Sequence, residues 1–445
     1  MLNNKSSILN ILFVMLLSMI SLTATSQVLK SNTSNDVIIE NSLSTYSPFS
    51  MFGIGELQTP GTAYNLSMGG IGIAVQDKRF INYLNPAAIH VRDTLAFMMD
   101  FGGMQKNIYS NDGTNTSAYN VANMNNVAVS FPLFKKSAFV IGIAPFANTG
   151  YLFYRDEESS DVIADMGQVQ YRKYGTGSIN KLFLGVSAEL FTNFSLGVEG
   201  IYYFGEIKRH SDIMFNSVES NKNIYTGWDY QINSFSAKLG AQYVLKLKNE
   251  KLLTFGATYR LGNNLSGNIQ RYAYTSNTSS TNYIINEEYD DKKIEIASDL
   301  GLGVTYAKYE KWLLGVDYNF QNWKNTKFAS TPGINFKPVN LQSLKLGGSY
   351  TPNMYDIRYY MKRVTYRFGA YYKQSYINLN GSQINDFGIT LGASLPIYRW
   401  YNSFTIGLDI GQRGMMTDQL LRERYIKIMI DVNLHDIWFR KFQYN

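Results

Sequence analysis

Histidine is the side chain best suited to acid–base and metal chemistry near neutral pH, and this chain has only three: His90, His210 and His435. His210 precedes Ser211, and a phospholipase-type enzyme built on strands needs a serine and a histidine on the same face of a strand. Adjacent strand residues point to opposite faces, so this pair cannot form a dyad. Three dispersed histidines also lack the spacing of a metal site. We predict no catalytic residues, no metal and no enzymatic activity.

A glycine cluster is the second candidate for chemistry. Gly69, Gly70 and Gly72 could belong to a dinucleotide-binding loop. However, no buried strand precedes them, no helix follows them, and the full glycine spacing is missing. Glycine also permits tight turns and close packing, which is the interpretation favoured here, so we predict no cofactor. The chain has no cysteine, which excludes disulfides and thiolate metal sites.

The composition favours alternating strands. Tyrosine (34) and phenylalanine (26) are frequent, whereas only 17% of the residues are charged, and the apolar residues occur singly rather than in long runs. The net charge of +7 comes without the dense lysine and arginine runs of nucleic-acid-binding proteins. Scattered basic side chains suit a wet lumen and loops beside anionic lipid. We therefore predict membrane lipids, and not nucleic acid, as partners.

Residues 1–26 have the pattern of a secretory signal peptide. Lys5 supplies the positive start, residues 8–20 form a short apolar stretch, and Ala24 and Ser26 are small residues before a cleavage point. A membrane-spanning helix would need about 20 apolar residues, which this stretch does not reach. No later segment reaches that length either, so residence in a membrane would require a closed β-barrel.

From Thr94 onward the sequence alternates with a period of two. In the stretch from Phe404 to Gly411, for example, Phe404 and Ile406 share one face and Thr405 and Gly407 the other. About nine residues rise roughly 30 Å, and at a tilt of about 40° they cover close to 23 Å, the height of an outer-membrane apolar band. We therefore predict an all-β fold, a transmembrane antiparallel β-barrel with its apolar stripes facing lipid.

Counting the alternating segments predicts about 14 strands, although merging or splitting one hairpin would give 12 or 16. The predicted organisation is a signal peptide (1–26), a polar lead (27–45), an irregular glycine-rich hatch (46–93), the barrel (94–434) and a tail (435–445). Long external loops are predicted at 156–165, 216–222 and 275–292. The predicted strand centres are Met98, Val129, Ile143, Leu184, Val198, Leu239, Phe255, Leu302, Val316, Leu346, Phe368, Leu391, Ile406 and Ile430.

The hatch segment carries a recognisable motif. The run from Met68 to Val75 is followed by Asp77 and then by Asn85, Pro86 and Ala87. This order resembles the N-terminal hatch of the long-chain fatty acid transporter (FadL/TodX) family of outer-membrane proteins. The motif spans only about 50 residues, and the rest of the chain supports it through strand count.

That resemblance implies a barrel of fourteen strands closed by a hatch, in the outer membrane of a Gram-negative cell. It implies passive uptake of hydrophobic small molecules such as long-chain fatty acids, by a barrel expected to be monomeric. In that family a kinked third strand opens a lateral exit, beside which Asn85, Pro86 and Ala87 would hold the hatch. Pro145 and Gly150 mark the matching irregularity here. The alternative is a strand that ends at Ala144 and turns.

A ligand pocket beside the hatch would be lined by aromatic and apolar residues, which could equally be only the hatch's own core. A different role is also open, because some barrels that resemble this family are partners in protein secretion. Transport predicts an apolar pocket near the hatch, whereas a secretion role predicts a filled lumen and adhesive outer loops. The pocket candidates are Phe49, Met51, Phe52, Phe80 and Tyr83.

Overall fold

A computed structural model describes the fold. The described residues are 43–92, 96–215, 222–277, 280–289, 294–308, 310–326, 328, 335–397, 402–416 and 420–437. The predicted signal peptide and most of the polar lead lie outside the described residues, as do 438–445 of the predicted tail. None of the described helices is long and apolar enough to cross a membrane.

Twenty strands account for most of the described chain, with two short α-helices and three 3₁₀ turns between them. The helices are α1 (Ala63–Leu66) and α2 (Ser160–Met166), and the 3₁₀ turns are Pro48–Met51, Pro86–Ala88 and Tyr360–Lys362. The strands are β1 (Glu56–Leu57), β2 (Ala96–Asn111), β3 (Thr116–Pro132), β4 (Ser137–Asp156), β5 (Val169–Phe191), β6 (Phe194–Phe215), β7 (Asn223–Lys246), β8 (Lys251–Arg260), β9 (Asn263–Leu265), β10 (Ile269–Ser276), β11 (Thr281–Tyr289), β12 (Ile294–Ile296), β13 (Asp299–Lys308), β14 (Trp312–Gln321), β15 (Phe336–Pro338), β16 (Leu341–Tyr350), β17 (Thr365–Leu379), β18 (Ser382–Pro396), β19 (Ser403–Arg413) and β20 (Arg422–Ile437).

Fourteen of these strands close into one antiparallel barrel. Around the barrel they follow chain order: β2 to β8, β13, β14, then β16 to β20. The last strand pairs with the first from Ala96↔Ile437 to Asn111↔Arg422, so no strand edge is left open at the closure. Each predicted strand centre lies in a different one of these strands. The predicted count and fold class are therefore confirmed.

The apolar stripes face outward, as predicted. On β18, Leu391 is 54% exposed while its neighbour Thr390, which points into the lumen, is 2% exposed. Opposite it on β19, Leu408 pairs with Leu391 and continues the stripe. This arrangement inverts that of a water-soluble barrel, whose apolar side chains fill the interior.

The two ends of the barrel differ in the length of their connections. At one end β3–β4, β5–β6 and β7–β8 are joined by turns at 133–136, 192–193 and 247–250, and one longer connection, 351–364, joins β16 to β17. At the other end the connections 157–168, 261–298 and 322–340 are long. Outer-membrane barrels have short turns on the periplasmic side and longer loops outside. We therefore call the short-turn end periplasmic.

Three predicted boundaries are wrong. The predicted loop at 275–292 contains the end of β10 and all of β11, a hairpin that extends the sheet beside β7. The predicted loop at 156–165 includes most of α2. The last strand runs to Ile437, three residues into the predicted tail. In each case polar residues mark a strand or helix that stands outside the membrane, where alternation with apolar residues is not required.

A charge on the lipid-facing stripe should destabilise the barrel. We expect Leu391→Arg to lower the free energy of unfolding by about 2–4 kcal/mol, because the arginine would enter hydrocarbon near mid-membrane. Urea unfolding in lipid vesicles measures this change. Thr114→Arg, in the exposed outer turn between β2 and β3, is the control and should change the value by less than about 0.5 kcal/mol. Equal effects would contradict the assigned orientation.

Candidate functional site

The wall of the barrel opens between β3 and β4. These strands pair only from Val127↔Ile143 to Pro132↔Ala138, in the periplasmic half. Toward the outside, no pairing joins residues 116–126 of β3 to residues 144–156 of β4 among the described residues. We call this separation the strand gap. Unpaired backbone groups at such a depth need other partners, because lipid offers none.

The strand gap begins where Pro145 lies. The pairing of β4 with β5 shifts register between Pro145 and Ala147, as expected for a residue that cannot donate to a ladder. The strand does not end at Ala144 but continues to Asp156. Of the two alternatives, the structure therefore shows a bulged and continuing third strand. Whether ligand passes through the gap stays a prediction.

The hatch occupies the strand gap. Strand β1 pairs with β4 in the place that β3 has left, with Glu56 opposite Asn148 and Leu57 opposite Ala147. Further along β4, the backbone N–H of Ser47 donates to the carbonyl of Gly150 (3.0 Å). The hatch thus supplies hydrogen bonds that a neighbouring strand would otherwise make.

Contacts on the β3 side complete the seal. The ring of Tyr46 stacks on Tyr119, with centroids 3.5 Å apart, and the amide of Asn123 donates to the carbonyl of Ser44 (2.6 Å). On the β4 side, a side chain at Gly150 would put its Cβ 1.8 Å from the carbonyl oxygen of Thr45. Glycine at position 150 is therefore required for the backbone at Thr45 to approach β4. Residues 43–58, which we call the gap segment, fill the opening.

A buried ion cluster fastens the gap segment to the nearby strands β2 and β19. The carboxylate of Glu56 accepts from Lys106 (2.6 Å), Arg413 (2.9 Å) and Thr45 (2.6 Å). One buried carboxylate thus joins the gap segment to two cations of the barrel wall, and neither charge is left unpaired.

The predicted glycine cluster forms a turn that docks on the barrel. Gly69 and Gly70 have positive φ angles (68° and 82°), which favour glycine. The backbone N–H groups of Gly72 and Ile73 donate to one carboxylate oxygen of Asp317 (2.7 and 2.9 Å). The N–H of Gly69 donates to Thr390 (2.8 Å). The cluster thus binds the lumen wall.

The Asn-Pro-Ala motif packs elsewhere than predicted. Asn85 is fully buried, and its amide donates to the carbonyls of Ile73 (2.7 Å) and Ala241 (3.2 Å). Its side-chain oxygen accepts from the N–H of Ala87 and caps the 3₁₀ turn. The motif lies against β6 and β7, where Pro86 meets Gly197. The 3₁₀ turn also contacts β5, so the motif lies one to three strands away from the kinked β4, and the gap segment takes the place expected for it.

The five predicted pocket residues do not share a cavity. Four belong to one apolar cluster made with the barrel wall, whereas Phe80 belongs to a second cluster with Tyr64. Tyr83 packs on Phe183 of β5 (centroids 4.8 Å apart). In this conformation they form the core between hatch and barrel, and their role in ligand binding stays a prediction. The four in the first cluster are Phe49, Met51, Phe52 and Tyr83.

The lumen leaves little free volume in the described part of the chain. A cavity beside Lys106, Tyr371 and Lys373 measures about 40 Å³, and one beside Phe49 and Tyr376 about 20 Å³. A larger cavity of about 410 Å³ lies at the periplasmic mouth, beneath the hatch.

The histidines do not come together. His210 lies on the outer part of β6, where it stacks on Tyr174 (4.6 Å between centroids) and has Asp229 at 3.8 Å. His90 lies at the end of the hatch, and His435 on β20. Among the described residues, no group of three histidine, aspartate or glutamate side chains has the arrangement of a metal site.

Sequence reasoning does not identify the barrel residues that anchor the hatch. Asp317, Thr390, Asp431 and Arg413 each sit at a lumen-facing position of an ordinary alternating strand. Asp431, for example, accepts from the N–H of Ala63 (3.0 Å). The one available signal is a charged residue in the middle of a transmembrane strand, which needs a partner in the lumen.

One family model matches residues 33–445, and its description is BamG. The chain belongs to the BamG family. This family is not the one that the hatch motif suggested, so the resemblance to fatty acid transporters holds for the fold and not for the family. A comparison with curated protein sequences found no significant match for this BamG-family chain.

Solved structures with a similar fold include two toluene transporters. The toluene transporter TbuX of Ralstonia pickettii is 11% identical and covers 84% of this chain and 98% of its own, with a TM-score of 0.54. The toluene transporter TodX of Pseudomonas putida is 14% identical and covers 86% of this chain and 100% of its own, with a TM-score of 0.54. A FadL homologue of Pseudomonas aeruginosa is 12% identical and covers 86% of this chain and 99% of its own, with a TM-score of 0.52. At such low identity the likeness shows that the BamG-family chain has this fold.

A side chain added on β6 where Pro86 packs should loosen the hatch. A Cβ at Gly197 would lie 2.3 Å from the backbone of Pro86. We expect Gly197→Ala to raise trypsin cleavage after Lys78 and Arg79 about tenfold, because overpacking costs about 1–3 kcal/mol. Gly200→Ala on the same strand, whose Cβ would meet nothing within 4 Å, is the control. Equal cleavage rates in both variants would contradict the docking described.

Removing the charge of Glu56 should release the gap segment. Glu56→Gln leaves Lys106 and Arg413 buried without their shared carboxylate, at a cost of about 3–5 kcal/mol in the free energy of unfolding. Urea unfolding in vesicles measures it. Glu206→Gln removes an exposed ion pair with Lys208 (3.1 Å) and should cost less than about 1 kcal/mol. A loss for Glu56→Gln as small as the control's would contradict the anchoring role.

Proposed function

We propose that this chain is a closed barrel that serves as one subunit of a multiprotein assembly in the outer membrane. The proposed assembly is related to protein secretion. In this role the hatch is a permanent seal and the barrel acts through its surfaces. The observation that carries the proposal is the filled lumen, in which hatch and wall pack with cavities of about 40 and 20 Å³.

The two small cavities inside the lumen argue against a hydrophobic ligand bound between hatch and wall in this conformation. A dry cavity that binds benzene measures about 150 Å³, several times the cavity beside Lys106 and Tyr371. That cavity is also lined by charged groups, including Lys373 and Asp386. An apolar molecule there would displace water from charges and leave them unsolvated, which is unfavourable.

The anchoring also favours a seal over a gate. Opening the hatch would break the Glu56 ion cluster and separate Asp317 from two backbone N–H groups. Removing one partner from a buried ion pair costs about 3–5 kcal/mol, and every 1.4 kcal/mol lowers the open fraction about tenfold. A hatch held at several such points opens rarely.

The second candidate is passive uptake of hydrophobic small molecules, and the strand gap favours it. The neighbouring folds include toluene transporters. A ligand leaving sideways between β3 and β4 would stay out of water and keep about 0.8 kcal/mol of burial per methylene. For this route the gap segment has to move away from Pro145 and Gly150.

A reversible lock on the gap segment separates the two candidates. Leu57 and Ala147 are directly opposite each other across β1 and β4, at the spacing of a cross-strand disulfide. The chain has no cysteine of its own. The double variant Leu57→Cys, Ala147→Cys therefore ties the hatch to β4 when oxidised and frees it when reduced.

If the chain is a sealed subunit, we expect oxidation to leave the native size of the detergent-extracted assembly unchanged. The oxidised variant should also still replace the wild-type protein in cells. For an uptake channel, oxidation should abolish uptake of labelled long-chain acids and toluene, and a reductant should restore it. Each single-cysteine variant controls for the substitutions. Extraction of the wild type as a lone barrel would overturn the subunit proposal, and a redox-dependent loss of uptake would establish the second candidate.

A further inference from the structure

The cavity at the periplasmic mouth measures about 410 Å³. Its walls come from the hatch and from the periplasmic ends of strands on more than half of the barrel. Toward the lumen it is closed by a cluster that includes Tyr64, Phe80 and Leu313. An occupant of this cavity therefore comes from the periplasm and goes no further.

The lining is strongly basic. It contains seven lysine and arginine side chains against three carboxylates. Burial lowers the pKa of His90 below its ordinary value, so that ring adds little charge at neutral pH. The seven cations are Lys78, Arg79, Arg92, Lys136, Lys246, Lys308 and Lys311.

Every one of the three carboxylates already has a cation. Glu310 pairs with Lys78 (3.3 Å). Asp77 pairs with Arg79 (2.6 Å) and Glu189 with Lys136 (2.9 Å), which are two further pairs within the lining. Four cations remain that have no carboxylate among the described residues within salt-bridge distance.

Arg92 is the most constrained of these four. Its Nε and Nη2 donate to the carbonyl of Ile89 (3.1 and 2.8 Å), and Nη2 also contacts Ser130. Its Nη1 is buried and makes no hydrogen bond to a described residue. A guanidinium held in place with one unused donor group is suited to a carboxylate. The other three cations are Lys246, Lys308 and Lys311.

Apolar side chains stand around the mouth. In the β3–β4 turn Phe134, which also lines the cavity, is 81% exposed. In the connection between β16 and β17, Ile357 is 95% exposed, and Met354 of the same connection packs under Arg79. Exposed apolar side chains that stand together on a surface mark sites of interaction with another protein or a membrane.

We propose that this mouth is a docking site for an acidic segment of a periplasmic protein, whose carboxylates enter the basic cavity while its apolar residues cover the rim. The proposal rests on the proposed function and names where one partner of the assembly binds. A protein segment fits better than lipid, because lipids contact the outer surface of the wall whereas this cavity opens inside the ring of strand ends.

Binding of a defined peptide tests the site. The probe is a short fluorescein-labelled peptide of alternating glutamate and leucine, added to the full-length protein in phosphatidylcholine nanodiscs. We expect the double variant Lys246→Glu, Lys311→Glu to weaken binding at least about tenfold, and binding by the wild type to weaken as salt is raised. The milder Lys246→Gln, Lys311→Gln should weaken it about threefold, and it covers the case in which the charge reversal impairs folding.

The matched control reverses two lysines at the same end but outside the cavity. Lys248→Glu, Lys251→Glu changes the net charge equally, and neither residue lines the cavity, so binding should stay within about twofold of wild type. Equal losses of peptide affinity in the two charge-reversed variants would mean that only long-range charge attraction acts, and this would contradict a binding site in the cavity. So would equal binding of the matching lysine–leucine peptide.

Phosphatidylglycerol vesicles and inorganic phosphate complete the comparison. If vesicles bind through Lys246 and Lys311 and the acidic peptide does not, the mouth is a lipid site and the proposal is wrong. Binding of free phosphate alone would overturn it as well. Because this assay uses the purified barrel, its failure is distinct from failure of the subunit role, which is read from assembly size in cells.

Discussion

Backbone hydrogen bonding in a medium without water is the constraint on which this structure depends. A barrel meets it by pairing every strand with two neighbours. Here β3 and β4 separate on the outer side of Ile143. Beyond this point β1 and Ser47 of the hatch make the hydrogen bonds to β4. The hatch is therefore part of the wall as well as a plug. Its removal would expose polar strand edges within the membrane.

Close approach between hatch and wall depends on glycine at lumen-facing positions. A Cβ at Gly240 would lie 2.1 Å from the amide oxygen of Asn85, and one at Gly256 would lie 2.2 Å from the carbonyl oxygen of Ile73. Gly347 and Gly369 meet the hatch turn at Met68 in the same way. These positions let backbone meet backbone, so polar groups of the irregular hatch find partners on the barrel. The result is a lumen held by many hydrogen bonds as well as by apolar packing.

Sequence reasoning recovered the barrel because lipid imposes a simple pattern. Alternation at positions such as Leu391 and Leu408 is required wherever one face meets hydrocarbon, so strand number and face follow. The hairpin of β10 and β11 stands clear of lipid and lacks that pattern, so the sequence alone predicts a loop over most of it. The anchors of the hatch were also missed, because pairs such as Glu56 and Arg413 are 357 positions apart and no local pattern joins them. The glycine turn and Pro145 were visible because their backbone requirements are local.

The barrel wall is uneven in height, and this has a consequence at the cell surface. Strands β5, β6 and β7 have 23, 22 and 24 residues, whereas β8 has 10. At about 3.3 Å per residue and a tilt of about 40°, the longest strands rise roughly 60 Å, more than twice an apolar band of about 25 Å. With β10 and β11 beside them, they form a rigid sheet that stands on one side of the pore axis. An antibody approaching the cell would therefore meet this tyrosine-rich ridge before the ends of the shorter described strands.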